Sequence, residues 1–483
     1  MSALSARPGA SAAQLKKDTI SPLGLAALAI GITSPAMGLF ALWGTMEVST
    51  GPVTPLVFLS AMVVTLPTGI SYAVLNSRCP STGAASTWLW CSVSPTVGFM
   101  AGLWMTTYFF MATVSSPVLF AMFFADFLKT IHAPLSHVAA LSLGVVISSI
   151  PVALLSLQGA EASVKTTMRL MFLESCVVLA LSGTILFTKA GEVGGITLVP
   201  FNPLSATHGF VGFWSATVVG VLGFCGFDVV STAAEEANAP RTHLPRAIFI
   251  TLLGMGLFWA INAWVFTLGL PLDRVIAYTE AGMPAVTAVA ERYWGLGSLT
   301  IDIVAFTGVT AVYLSCVQGS SRIIFSLSRQ GLLPSVLSQL VGERRVPRNS
   351  VLLVLLSAVL FDLITLGILR NGLETFNWWA FGLVFFATLT FIAVNFSNAV
   401  YFFRFVRGDF NVLTNLVVPV VGVLVNAYLL YAAFFVALWS SNLPIGRSIV
   451  IACVGILAIQ ILSVIYMRVR SAELFEQSLL ISP

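Results

Sequence analysis

The chain has 483 residues, of which 58% are hydrophobic and only 9% charged. Soluble globular proteins carry about 25% charged residues, so this composition excludes an ordinary soluble domain and points to lipid as the solvent. The formal net charge of +4 is informative by location rather than by sum.

Residues 1–18 are polar, carry Lys16 and Lys17, and lead straight into a long apolar segment. That pattern predicts a cytoplasmic tail before a first anchor helix, not a cleavable signal. Stretches 19–46, 48–77, 193–227, 375–403 and 410–446 contain no Asp, Glu, Lys or Arg. A spanning helix needs about 20 apolar residues. Twelve spans are therefore predicted, at 22–44, 52–75, 96–126, 137–157, 165–188, 209–235, 246–270, 299–327, 350–369, 376–402, 413–438 and 447–467. With the N-terminus inside, only Lys129, Lys189, Arg274, Arg292, Arg370 and Arg447 of the 23 basic residues face outward. Loop positive charge favours the cytoplasmic side, so both termini are expected inside, in a plasma or inner membrane.

Three connections stand out. Residues 76–95 carry Trp88-Leu89-Trp90, which suits a short interfacial helix. Segment 271–297 holds an amphipathic piece around Ala285–Tyr293, placed to cover an entrance, and 329–349 is a basic inner connection. The six cysteines lack metal-ligand spacing and read as small buried hydrophobes.

Two spans contain helix-breaking runs. The first holds Gly31-Ile32-Thr33-Ser34-Pro35-Ala36-Met37-Gly38. The sixth holds Gly220-Val221-Leu222-Gly223-Phe224-Cys225-Gly226-Phe227-Asp228. Glycine and proline weaken helix interiors. In lipid, unwound backbone survives only when buried in protein or lining a cavity. Two breaks five spans apart fit an inverted repeat with a substrate site near the midplane. Freed amides can bind a carboxylate and freed carbonyls an ammonium group. Close packing or a simple kink is the bland alternative.

Glu174 lies inside the apolar run Leu170–Leu186. A carboxylate at that depth is costly and usually functional. It can carry a proton or pair with a substrate amine, unless it merely reaches water or Arg169. Asp228 follows the second break and suits an N-cap of the inner half-helix, alone or together with gating or substrate binding. Asp302 and Asp362 are expected to be wetted or paired, and Glu235 and Glu236 to pair with Arg241 and Arg246. Ser315 is a candidate for an ion position opposite the first-helix carbonyls. Trp104, Tyr108, Phe224, Trp378 and Trp379 are aromatic gate candidates, with a membrane-interface role equally open for the last two.

At this point the chain resembles a known family. Residues 223–248, with Gly223-Phe-Cys-Gly-Phe-Asp228 and Glu235-Glu236-Ala-Asn-Ala-Pro240-Arg241, are similar to the sixth-helix motif of amino acid–polyamine–organocation permeases. Residues 321–334, with Arg322, Arg329, Gly331 and Pro334, are similar to the end of that family's eighth helix. Residues 80–90, Pro80-Ser-Thr-Gly83 to Trp88-Leu-Trp90, match its first cytoplasmic loop. Order and spacing fit across residues 20–410.

The resemblance implies an all-α membrane protein of the leucine-transporter fold, with two inverted five-helix repeats plus two extra helices. The domains would be a tail at 1–18, repeats at 19–188 and 209–402, two helices at 413–467 and a tail at 468–483. It implies secondary transport by alternating access, of an amino acid with proton coupling. The alternative is a polyamine, choline-like or other organic amine. No cofactor is expected, only a proton, or alternatively sodium, as coupling ion. The expected partners are a small-molecule substrate and the bilayer, with no nucleic acid.

Substrate contacts would come from Gly31, Thr33, Ser34, Pro35, Ala36, Met37, Gly38, Trp104, Phe224, Gly226 and Asp228, coupling from Glu174 and Ser315, and gating from Tyr108 and Trp378. Two departures matter. Thr33 to Ala36 replace the usual Gly-Ser-Gly break, and Pro35 removes an amide donor. Where several members carry a fifth-helix lysine in place of a sodium ion, this chain has Glu174, or Val178 in an alternative register. No catalytic triad, metal cluster or nucleotide loop is visible, and no filter-like ring supports a channel.

Overall fold

The computed structural model describes residues 15, 18–192, 195–280, 284–342, 344–439 and 445–470. The expected tails thus lie almost wholly outside the described residues. The helices are α1 (Pro22–Thr33), α2 (Met37–Thr50), α3 (Thr54–Arg78), α4 (Ala85–Ser92), α5 (Pro95–Thr130), α6 (His137–Leu157), α7 (Ala160–Ala190), α8 (Gly209–Phe224) and α9 (Val229–Thr232). They continue with α10 (Pro240–Gly269), α11 (Leu272–Glu280), α12 (Ala285–Trp294), α13 (Leu299–Arg329), α14 (Arg348–Leu369), α15 (Gly372–Phe405), α16 (Val418–Leu430) and α17 (Gly446–Arg470). The span containing α16 opens and closes in wider π-type turns, Leu413–Val417 and Tyr431–Leu438.

Among the described residues, eleven helical stretches are long and apolar enough to cross a membrane, and the first, Pro22–Arg78, is 57 residues long. It folds into two crossings. Trp259 packs at Pro35 and Gly38, and Thr267 bonds Trp43, so α10 runs parallel to α1–α2. Leu252 packs at Gly69 and Met62 at Gly256, so α10 runs antiparallel to α3. The chain therefore reverses at residues 51–53, where Gly51 takes φ +71°. Counting α1–α2 and α8–α9 as one broken span each, the described residues cross twelve times.

Burial separates an inner bundle from a lipid-facing shell. In the most apolar part of the α1–α3 stretch and of α5, 83% of residues are buried, against 28% in α7 and α17. One apolar core runs through the inner bundle and carries both broken spans.

The connections close the two ends. α4 forms where an interfacial helix was expected, but Trp88 is buried in protein, packing edge-on to Tyr72 and donating its indole N–H to the Cys79 carbonyl. Trp90 alone of the pair remains half-buried. The expected amphipathic piece is α12. It lays Ala285 against Gly44 of α2 and covers a small cavity of about 70 Å³ also lined by Phe40, Phe123, Thr279 and Phe376.

Candidate substrate and coupling site

Pro35 dictates the first break. It has no N–H to offer Gly31, and Ser34 before it takes φ +44°, so α1 ends with Ser34 N–H bonded to Ile30. The next two amides also leave the helical ladder. Ala36 N–H donates to Glu174 Oε2 at 3.3 Å, and Met37 N–H to Ser34 Oγ at 3.1 Å. The carbonyls of Gly31, Ile32 and Thr33 thus lose their helical donors and are left as acceptors.

Glu174 is fully buried on α7 and points at this break. Besides the Ala36 amide, its Oε2 receives the Ser34 hydroxyl at 2.5 Å. Its Oε1 is buried without a partner. The carboxylate sits at the N-terminus of α2, where the helix dipole and orphan amides favour negative charge. The register that puts Glu174 opposite the first helix is the one adopted, and Val178 lies a turn away in the core. Ser315 of α13 completes the cluster. Its hydroxyl, buried and unpartnered, lies 2.5 Å from a Cβ built on Gly31.

The second break falls at residues 225–228, between α8 and α9. Gly226 takes φ +109°, and a Cβ there would lie 2.0 Å from Ile32 Cγ2. The two breaks therefore touch, and glycine is required at the crossing for both space and backbone conformation. Asp228 was expected to cap the inner half-helix, but its side chain makes no capping bond. Instead Tyr108 donates to its Oδ1 at 2.8 Å and Tyr72 to its Oδ2 at 3.1 Å. The correction has a simple cause: tyrosines from α5 and α3 converge on the carboxylate and outcompete a four-residue helix for it.

Trp259 of α10 wedges the outer halves together. Its ring fills the space above Gly38, meets Phe224 edge-on at 5.0 Å and donates to the Pro35 carbonyl at 3.2 Å. At the other end, Thr19 and Ile20 amides donate to the Glu236 carbonyl, both at 3.0 Å, and tie the start of the chain to the segment after α9. Arg322 Nε bonds the buried Glu236 carboxylate at 2.5 Å, and Arg329 pairs with Glu235. The expected partners, Arg241 and Arg246, are not used, because residues 233–239 turn back toward the end of α13.

The remaining candidates are dispersed. Trp104 is half-buried one turn before Tyr108, with its indole N–H unpartnered. Trp378 packs on Trp379, which packs on Phe361, near the start of α15. Asp362 departs from expectation: it is fully buried and neither oxygen has a partner, because it lies on the packed face of α14.

Several contributors went unnoticed in the sequence. Tyr72, Trp259 and Asn76, which donates to Ser231 at 2.8 Å, look like ordinary span residues. Glu47 had a signal, being the lone charge between the stretches 19–46 and 48–77. It is buried on α2 and accepts the hydroxyls of Thr54 and Thr267 at 2.5 and 2.9 Å.

The arrangement can stabilise an ion pair or exchange a proton at a closed midplane site. Comparison with known proteins gives the family. The branched-chain amino acid permease BcaP of Bacillus subtilis (strain 168) is 28% identical over 64% of this chain and 67% of its own. The low-affinity putrescine importer PlaP of Escherichia coli (strain K12) is 24% identical over 75% of this chain and 79% of its own. A solved manganese transporter of Eremococcus coleocola shares the fold, with TM-score 0.58, 14% identity and 92% and 94% coverage. The sequence profile described as amino acid permease matches residues 24–405, most of the chain and both breaks, so this polytopic membrane protein belongs to the amino acid permease family.

Proposed function

We propose that the chain carries an amino acid across the cell membrane by alternating access, coupled to a proton that Glu174 takes up and gives back. It releases its substrate chemically unchanged. One observation carries this reading: Glu174 already occupies the donors of the first break that a substrate carboxylate would use. Ionised, it holds the break closed against α7. Protonated, it frees the Ala36 amide and Ser34 hydroxyl for the substrate, whose ammonium group meets the carbonyls of Gly31, Ile32 and Thr33. Asp228 with Tyr108 and Tyr72 orders the second break, and Phe224 and Trp259 close the outer side. Both termini lie in the cytoplasm, supported by basic residues at the start of α7, α10 and α14 and the end of α13.

A second reading has its own support. With Pro35 lacking an N–H and the amides of residues 34 and 36–38 all bonded within the protein, the resting break offers acceptors only. That suits an organic amine without a carboxylate, and Glu174 Oε1 would then face the cation.

Purified protein in liposomes decides between them. Labelled branched-chain amino acids and putrescine are offered with and without an inward proton gradient, and with sodium or choline as bulk cation. Gradient-driven amino acid uptake that Glu174→Gln abolishes while exchange persists supports the first reading. Gradient-independent putrescine exchange weakened by the same substitution replaces it with the second. Uptake that follows sodium instead assigns coupling to the Ser315 side of the break.

A further inference from the structure

The transport scheme leaves a large groove on the membrane side of the site unused. It has a volume of about 970 Å³ and lies between α1, α7 and α10. Leu23, Ala27, Ile30, Phe172, Ile250 and Phe258 line it, and it ends at Pro35. Leu23 is 66%, Phe172 74% and Ile250 54% exposed, so it opens sideways toward acyl chains. The three helices run in one direction, since Gly24 meets Val164 while Ser34 meets Glu174, and Pro35 meets Trp259. From Pro22 to Pro35 the groove is roughly 20 Å long at about 1.5 Å per residue. One leaflet of hydrocarbon is about 15 Å, leaving room for a headgroup at the membrane face.

His243 and Arg246 stand toward that face, and Arg169 lines the groove further in, about level with Ala29. Both arginines are exposed, and neither enters a salt bridge among the described residues. His243 Nδ1 lies 2.6 Å from the Asn238 carbonyl. Among the described residues, no acidic side chain lines the groove. An apolar slot of one-leaflet length with two arginines outside those salt bridges, one toward the membrane face and one whose long stem can reach toward it, is complementary to an anionic lipid.

We infer that an anionic phospholipid occupies this groove, its phosphate held by Arg169 and Arg246 and one acyl chain lying along α1 as far as Pro35. On its other side α1 abuts α13, where Gly31 faces Ser315. The lipid therefore braces the inner half of the broken helix and slows its release. Only this bracing rests on the transport reading; lipid binding stands apart from it.

The test uses the full-length protein in phosphatidylcholine liposomes with and without phosphatidylglycerol. Native mass spectrometry counts retained lipid, and uptake is measured in parallel. Wild type is expected to retain phosphatidylglycerol and to change its uptake rate with it. Arg169→Gln/Arg246→Gln weakens retention on the order of thirtyfold, each arginine contributing about fivefold. Arg348→Gln, on the same face but outside the groove, leaves retention unchanged. Ile250→Trp narrows the groove with the arginines intact and also lowers retention. Equal retention by wild type and the double variant overturns the site. Inorganic phosphate competing fully with phosphatidylglycerol shows an anion site only and overturns the lipid. Bound lipid without effect on a measurable uptake rate overturns the bracing. Absence of transport in every lipid counts against the transport reading, while retention still decides the groove.

Discussion

The first break is closed by a carboxylate borrowed from another helix, the second by a carboxylate of its own. Glu174 reaches across from α7, uses one oxygen for two donors of the break and leaves the other unpartnered. Asp228 uses both oxygens, each on a tyrosine from a different inner helix. A cap supplied by a separate helix makes the closeness of α1–α2 to α7 depend on its charge. A carboxylate tied on both oxygens fixes the second break to α3 and α5. The difference teaches that equivalent breaks need not share a role: in the proposed scheme the first switches and the second holds.

The largest expected effect breaks this comparison outright. Glu174→Gln keeps an acceptor for Ser34 but cannot exchange a proton, so gradient-driven accumulation falls by at least about tenfold while exchange survives, a loss near 1.4 kcal/mol in driving force. Asp228→Asn should lower accumulation and exchange together. If both variants lose only the gradient response, the proposed division of labour is wrong.

Next in size is the crossing point. Gly226→Ala forces a Cβ into Ile32 and onto a positive φ, at a cost of about 1–3 kcal/mol or more. Thermal unfolding in detergent reads it. Ile32→Ala in the same chain should restore the part due to crowding and leave the part due to backbone strain.

Smaller effects sharpen the second break. Tyr108→Phe removes the shorter bond to Asp228, and intramembrane hydrogen bonds contribute about 0.6 kcal/mol on average and at most about 1.7. Tyr72→Phe, at the longer distance, should cost less. Chemical unfolding in micelles measures both, and the reverse order would mean that Tyr72 is the principal tether. Ser34→Ala should lower stability least, and shift the response to the proton gradient more than it shifts stability.

Span number, both breaks and the loop helix were legible because each follows from chain-local physics: apolar length, missing amides and amphipathic spacing. Glu174 was legible as a charge without a reason to be in lipid. The partners were not. Tyr72 and Trp259 hold their places through helix packing across α3 and α10, which no local pattern encodes, and Tyr108, singled out as an aromatic gate candidate, was not legible as a partner of Asp228. Asp228 misled for the same reason, since its position reads as a cap and only the tertiary fold supplies two better donors. Asp362 was expected to be wetted or paired, and which face of α14 is packed cannot be read from a span that is apolar all round.

Trp259 carries a consequence for how such sequences can drift. Its ring occupies the volume a side chain at position 38 would need, touches the space beside Gly223, and its N–H holds the carbonyl of Pro35. A lineage cannot enlarge residue 38 while keeping this tryptophan, nor lose the tryptophan without opening a void between both broken spans. These positions form a single heritable unit, and substitutions among relatives should appear at 38, 223 and 259 together or not at all.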